Sequence, residues 1–179
     1  MFLPLRGHRG ITFVELLLVI AILGILTAAT LPVWEQLLAK IAVRSNYNLF
    51  MAHLFLARSE AIKRETAVTL CPSVDGRHCL EDHRAWAIGY VLFVNPTSKD
   101  QPTDSAQIIA DHHSNNSRIS IATSSHLRNR ITFLPSGRSW FSNTTITVCH
   151  EGRLTAGRAI VVSGNGRIRK ASTAVDPCS

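Results

Sequence analysis

The chain has 179 residues, 46% of them hydrophobic, and a formal net charge of +7. Once its apolar N-terminal run is set aside, that leaves room for one ordinary soluble domain and excludes a multidomain architecture. The charge is uneven, with eight Lys and Arg against ten Asp and Glu over 11–117 but nine against two over 118–179, which points to a polyanion or an anionic surface as partner of the last third.

In chain order, the first element is a basic leader, MFLPLRGHRG, carrying Arg6 and Arg9. It is followed by GITFVELLLVIAILGILTAATL at 10–31, in which Glu15 is the only ionisable group. A run of about 23 residues at ~1.5 Å per residue matches a hydrocarbon layer of about 30 Å, so a membrane helix is expected over 11–34. A secretory signal places a small-residue cleavage site after its apolar run. Here Gly10 precedes the run, so processing there would leave the apolar segment attached to the mature chain.

A helical period continues beyond Pro32, where a kink is expected. Trp34, Leu37, Leu38, Ile41, Ser45, Leu49, Ala52, Phe55, Leu56, Ser59 and Ile62 recur at steps of three and four, and this stripe is expected to be the face packed on the domain. One helix of roughly 80 Å is therefore predicted from 11 to 64, half in the membrane and half amphipathic over 35–65. From residue 66 the period shortens. Strands are predicted at 67–71, 86–95, 107–110, 118–122, 130–134, 144–149, 158–163 and 167–170. Segments 95–105 and 111–117 read as exposed loops. The fold class is α+β, a long N-terminal helix packed on an antiparallel sheet or sandwich.

Cys71, Cys79, Cys149 and Cys178 allow three disulfide connectivities; we expect Cys71–Cys79 and Cys149–Cys178 in an oxidising compartment. Neither C-x-x-C nor a metal-binding histidine spacing occurs, so no metal or cofactor is expected. No nucleophile elbow or carboxylate pair stands out, and an enzyme is not expected.

Gly10, Ile11, Thr12, Phe13, Val14, Glu15 and Leu16 resemble the class III signal of type IV pilins and type II secretion pseudopilins, with Ile11 standing where phenylalanine is usual. The resemblance implies cleavage after Gly10 by a prepilin peptidase, methylation of the Ile11 amino group, and a filament role for Glu15. A carboxylate at the edge of a hydrocarbon core costs several kcal/mol unless paired. Pairing with the amino terminus of a neighbouring subunit would set axial register; a headgroup-level carboxylate or one serving its own helix N-terminus are the alternatives.

Further along, LARSEAIKRETAVTLCPS at 56–73, ITFLPSGR at 131–138, TITVCHEGR at 145–153 and AIVVSGNGRIR at 159–169 resemble the GspH/FimT group of minor pilins and pseudopilins. That group's fold, a long helix with a C-terminal β-sandwich, agrees with the periodicity. Gly166, Arg167, Ile168 and Arg169 match the G-R-x-R motif that its FimT branch is associated with in DNA binding. On a strand, Arg167 and Arg169 would share one face about 7 Å apart, close to the spacing of successive phosphates. Lys170, Arg158 and Arg153, with Arg138, Arg128 and Arg130, could extend the patch, and exposed amides of the turn at 164–166 could help hold a phosphate.

The resemblance implies an inner-membrane protein with a periplasmic domain, later carried into a pilus among other pilins. It further implies binding of double-stranded DNA, expected to be without sequence preference, during natural transformation. The alternatives are a type II secretion pseudopilin and an assembly-priming minor pilin, neither with DNA as ligand.

Overall fold

The computed structural model describes residues 10–96, 101–114, 118–124, 129–140, 143–151 and 153–171, with side chains at 28–33 and 153–156 outside that description. The leader at 1–9 and Cys178 also fall outside it. The chain divides into two compact units, Met1–Leu38 and Ala39–Ser179.

In the first unit, Thr12 opens helix α1, Phe13–Lys63, by accepting the Glu15 amide on its hydroxyl at 3.3 Å and on its carbonyl at 3.1 Å. Thr12 is the N-cap and Glu15 stands at the third helical position, where an acidic side chain meets the positive end of the helix dipole. Farther along, the Thr27 hydroxyl donates to the carbonyls of Leu23 and Gly24, both at 3.0 Å, which satisfies a polar group inside an apolar stretch. Among the described residues no helix is long and apolar enough to cross a membrane. The described side chains of the apolar stretch stop at Thr27, so the expected crossing at 11–34, like the kink at Pro32, rests on the sequence.

The second unit holds the core. Ala39, Val43, Tyr47, Phe50, Leu54, Ala57 and Ala61 of α1 are buried, at steps of four and three. They meet two four-stranded antiparallel sheets. The first is ordered β3-β2-β1-β5, from β1 Val68–Pro72, β2 Gly89–Val94, β3 Ile108–His113 and β5 Ile131–Phe133. The second is ordered β4-β6-β7-β8, from β4 Ile119–Thr123, β6 Thr144–His150, β7 Arg153–Val162 and β8 Ile168–Lys170. One apolar cluster takes Phe50 and Leu54 from the helix, Leu70 and Leu92 from the first sheet, Ile146 and Ile160 from the second, and Trp86 from a short 3-10 turn. The ring of Phe50 sits edge-on to Trp86 at 5.5 Å and to Tyr90 at 5.1 Å.

The expected packed stripe on the helix is corrected. Trp34, Leu37, Leu38, Ile41, Leu49, Phe55 and Ile62 are exposed large apolar residues, and the buried set lies roughly half a turn away around the axis. The helix is apolar on two opposite sides. The side with Ala39, Ala57 and Ala61 is the one that lets the sheets approach closely, whereas the expected stripe is interrupted by Ser45 and Ser59.

All eight predicted strands exist, with shifted ends. Residues 86–88 belong to the 3-10 turn and its end rather than to β2, and β7 begins five residues earlier than expected. The two expected loops are corrected in part, and their residues 97–100 and 115–117 lie outside the described residues. Asp111–His113 end β3, an edge strand that can carry polar side chains because one of its sides meets water. Asn95 is buried, and Gln101 clamps the chain by accepting the Cys79 amide at 2.6 Å and donating to the Cys79 carbonyl at 3.0 Å. That clamp and the Cys71–Cys79 disulfide, with Cα atoms 5.5 Å apart, cover Val91 and Phe93 on the outer face of the first sheet. Cys149 is disulfide-bonded.

Candidate nucleic-acid interface

The site is built from two turns stacked at one end of the domain. In the hairpin joining β7 to β8, Gly166 donates its amide to the Ser163 carbonyl at 2.8 Å and Ser163 donates to the Arg167 carbonyl at 3.0 Å. Gly166 has φ +77°, and a Cβ there would stand 1.8 Å from the Gly137 carbonyl oxygen and 3.3 Å from the Arg138 Cα. Both the backbone conformation and the close approach require glycine. Gly137 belongs to the second turn, closed by its amide on the Leu134 carbonyl at 2.8 Å. That turn rests on the helix, since Arg58 Nε donates to the Gly137 carbonyl at 3.1 Å. The Ser139 amide donates to the Gly164 carbonyl at 3.2 Å and the Gly164 amide to Asn143 Oδ1 at 2.8 Å, tying the two turns together.

On this frame Arg167, the residue before β8, and Arg169, on it, are exposed, and the intervening Ile168 is buried. Arg169 stands opposite Val161 on β7, and β8 is the edge of its sheet. Lys170 is exposed at the strand end, and Arg138 is exposed on the neighbouring turn. Among the described residues no acidic side chain pairs with Arg138, Arg167, Arg169 or Lys170.

Other expected members stand elsewhere. Arg158 pairs with Val148 and has the same strand parity as the core residues Ile160 and Val162. Its side chain is exposed, and its guanidinium carbon lies over α1, 5.6 Å from the centroid of the Tyr47 ring. Arg130 is held by Glu81 through an Nη2–Oε1 contact of 3.0 Å. The side chain of Arg153 and all of Arg128 lie outside the described residues. The amides of Gly164, Gly166 and Arg167 already donate within the protein, the last to Asn165 Oδ1 at 3.1 Å, so those three are not open to a phosphate.

The sequence reading missed Trp140, 49% exposed beside this surface, and the seating of Gly166 on Gly137. A tryptophan two residues after Arg138, in a turn too short to bury it, was the available signal. Away from this surface, Asp75 accepts from the His78 ring, from the amides of His78 and Arg77 and from the Ser73 hydroxyl. The His78 contact above all holds its carboxyl well below the usual range. His53 Nδ1 and the Tyr90 hydroxyl are 2.8 Å apart, and burial pushes the Tyr90 phenol up.

Residues 46–166 match the family model of the type II transport protein GspH, and residues 5–31 match the prokaryotic N-terminal methylation motif. The GspH match ends at Gly166, so Arg167 and Arg169 lie just beyond it. No curated protein matches the chain. Among solved structures, the chain is similar to the type IV minor pilin FimU of Pseudomonas aeruginosa in two crystal forms. One gives a TM-score of 0.61 at 21% identity over 77% of this chain and 96% of that one, the other 0.59 at 22% over 76% and 99%. A third match is the minor pseudopilin EpsH of the Vibrio cholerae type 2 secretion system, at TM-score 0.48, 16% identity, 74% of this chain and 95% of that one. At these identities the FimU likeness speaks for the fold, a helix followed by antiparallel sheets.

Proposed function

The chain belongs to the type II transport protein GspH family, and on that premise we propose that it is a minor pilin. In this reading it is cut after Gly10, methylated at Ile11, held in the inner membrane by 11–34 and assembled with other pilins. It then binds duplex DNA non-specifically through its C-terminal basic surface during DNA uptake. It acts by assembly and binding, not catalysis.

The observation that carries the DNA reading is the pair Arg167 and Arg169, both exposed, the first at the entry to the edge strand β8 and the second on it, with Arg138 on the abutting turn and Lys170 beyond. Guanidinium groups make bidentate contacts to phosphate oxygens without reading sequence. Support for processing and assembly comes from the methylation-motif match and from the leader that precedes Gly10. The family model's own description favours a second reading, a type II secretion pseudopilin that touches only other pseudopilins.

The test is a titration of the full chain in detergent micelles with a random-sequence duplex at two salt concentrations. Neutralising about three phosphates gives a loss of roughly 40-fold for a fourfold rise in salt. The double variant Arg167→Gln with Arg169→Gln is expected to lose most of the affinity and most of that salt dependence. Absence of duplex binding at low salt would remove the DNA reading and leave the assembly subunit.

A further inference from the structure

β8 is the edge of its sheet, and its register on β7 decides which of its main-chain groups are already used. The Ser163 amide donates to the Arg167 carbonyl at 3.0 Å and the Ala171 amide to the Ala159 carbonyl at 2.9 Å. Residues 169 and 171 therefore bond toward β7, while the amides and carbonyls of Ile168 and Lys170 point to the open side, as an antiparallel ladder requires. Among the described residues no strand pairs with that side. The edge of β5 is different, because the segment after it closes it, with the Leu134 amide on the Arg138 carbonyl at 2.8 Å and the Trp140 amide on the Thr132 carbonyl at 2.9 Å. β3, an edge of the other sheet, sets His113 Nε2 3.4 Å from Asp111 Oδ2, so its charges already have company. An open edge is a template for a further strand.

The side chains on β8 say which strand fits. Arg167 just before it, and Arg169 and Lys170 on it, are exposed and meet no carboxylate among the described residues. Three cations in four residues discourage a neutral or basic strand. They favour an acidic one, since opposite charges facing each other across a strand pair stabilise it. On the open side Arg169 falls at a non-hydrogen-bonded position, where facing side chains of an antiparallel pair come closest. We propose that the open edge of β8 receives an extended acidic segment of a partner protein, added as a further strand with carboxylates at alternate positions facing Arg169 and Arg167. Main-chain bonds supply the affinity and the arginines select the partner. Strand addition does not rest on the DNA reading, and because both ligands use Arg169, duplex and acidic segment exclude each other.

The test uses the full chain in detergent micelles and a labelled short peptide alternating Glu and Val, followed by fluorescence anisotropy. An added strand bonds through only one alternate set of its amides. N-methylation of that set removes the bonds to the Ile168 and Lys170 carbonyls, an expected loss of roughly 30-fold, whereas methylation of the other set is expected to cost less than about twofold. Lys170→Pro and Lys170→Gln lose the same charge, but only the proline also loses the outward amide, and an edge strand tolerates proline where its nitrogen faces solvent. Lys170→Pro is expected to bind the peptide about fivefold more weakly than Lys170→Gln, while the two bind duplex alike. The methylated peptides need no variant, so they decide the matter even where Lys170→Pro does not fold. Equal binding of both methylated forms and the unmodified peptide would show attraction by charge alone and overturn strand addition. Duplex binding without peptide binding would also overturn it and leave the DNA reading standing, and peptide binding without duplex binding would do the reverse.

Discussion

Gly166→Ala is the substitution by which the stacked turns can be tested most directly. The residue has φ +77°, where an L side chain costs about 1–2 kcal/mol. The new Cβ would also stand 1.8 Å from the Gly137 carbonyl oxygen, which is backbone and cannot rotate away. Relief requires the two turns to separate by more than an ångström, and the Ser139–Gly164 and Arg58–Gly137 hydrogen bonds lie across or beside that contact. Loss of one such bond adds about 1 kcal/mol. The expected destabilisation is therefore about 2–4 kcal/mol, or a fall in Tm of roughly 6–12 °C for a domain of this size. Urea unfolding followed by Trp86 fluorescence would measure it, and duplex affinity should fall in parallel because Arg138 and Arg167 move apart. A variant that unfolds within about 0.5 kcal/mol of the wild type, with unchanged affinity, would show that the turns do not abut in this way.

Arg158→Gln is expected to leave duplex affinity unchanged, because Arg158 faces the helix over Tyr47; a loss matching that of Arg169→Gln would place it on the binding surface instead. Glu15→Ala is expected to reduce incorporation into filaments while the unfolding midpoint of the domain is unchanged; normal incorporation in an immunoblot of sheared filaments would refute a register role. His53 and His112 are both held below the ordinary histidine value, His53 by burial and then by His112, and His112 by burial and then by His113, with Asp111 opposing. Their stabilising contribution is complete above about pH 6.5, the unfolded value, and is lost as pH falls from there toward the lower folded values. Unfolding midpoints that rise on acidification from pH 7 to 5 would contradict that sign, and His112→Asn is expected to flatten the slope. Reduction of Cys71–Cys79 is expected to expose Val91 and Phe93, raising binding of an apolar dye; an unchanged signal would show that the Gln101 clamp suffices.

The strands were legible because each is a short apolar run bounded by turn residues, and those signals are local. The helix was legible in extent but not in orientation. Over 34–62 apolar residues lie on opposite sides of the axis, so periodicity admits two solutions. Which one is buried depends on the shape of the sheets, which favours the side with Ala39, Ala57 and Ala61 over the side with Phe55 and Ile62. Polar content misled in a similar way. The run from Asp111 to His113 lacks apolar alternation, yet it pairs with β2 at Tyr90 and Val91 because an edge strand needs only one paired side.

At the candidate site, the spacing of Arg167 and Arg169 about the buried Ile168 was enough to expect both to be exposed, which they are, although the strand itself begins only at Ile168. Arg158 shows the limit of counting charges. It lies in the same basic third of the chain and on a strand of the same sheet, but its parity matches Ile160, and a count cannot assign a face until the register is fixed. Charge on an edge strand also has a plain structural use, because it discourages pairing with another sheet. That use would be served equally by arginines scattered along β8. It does not call for Gly166 to seat one turn against another, nor for Arg138 to stand exposed on the abutting turn. Edge protection predicts that Arg138→Gln is silent in every binding assay. A nucleic-acid surface predicts that it is not, and that the affinity lost shrinks as salt rises.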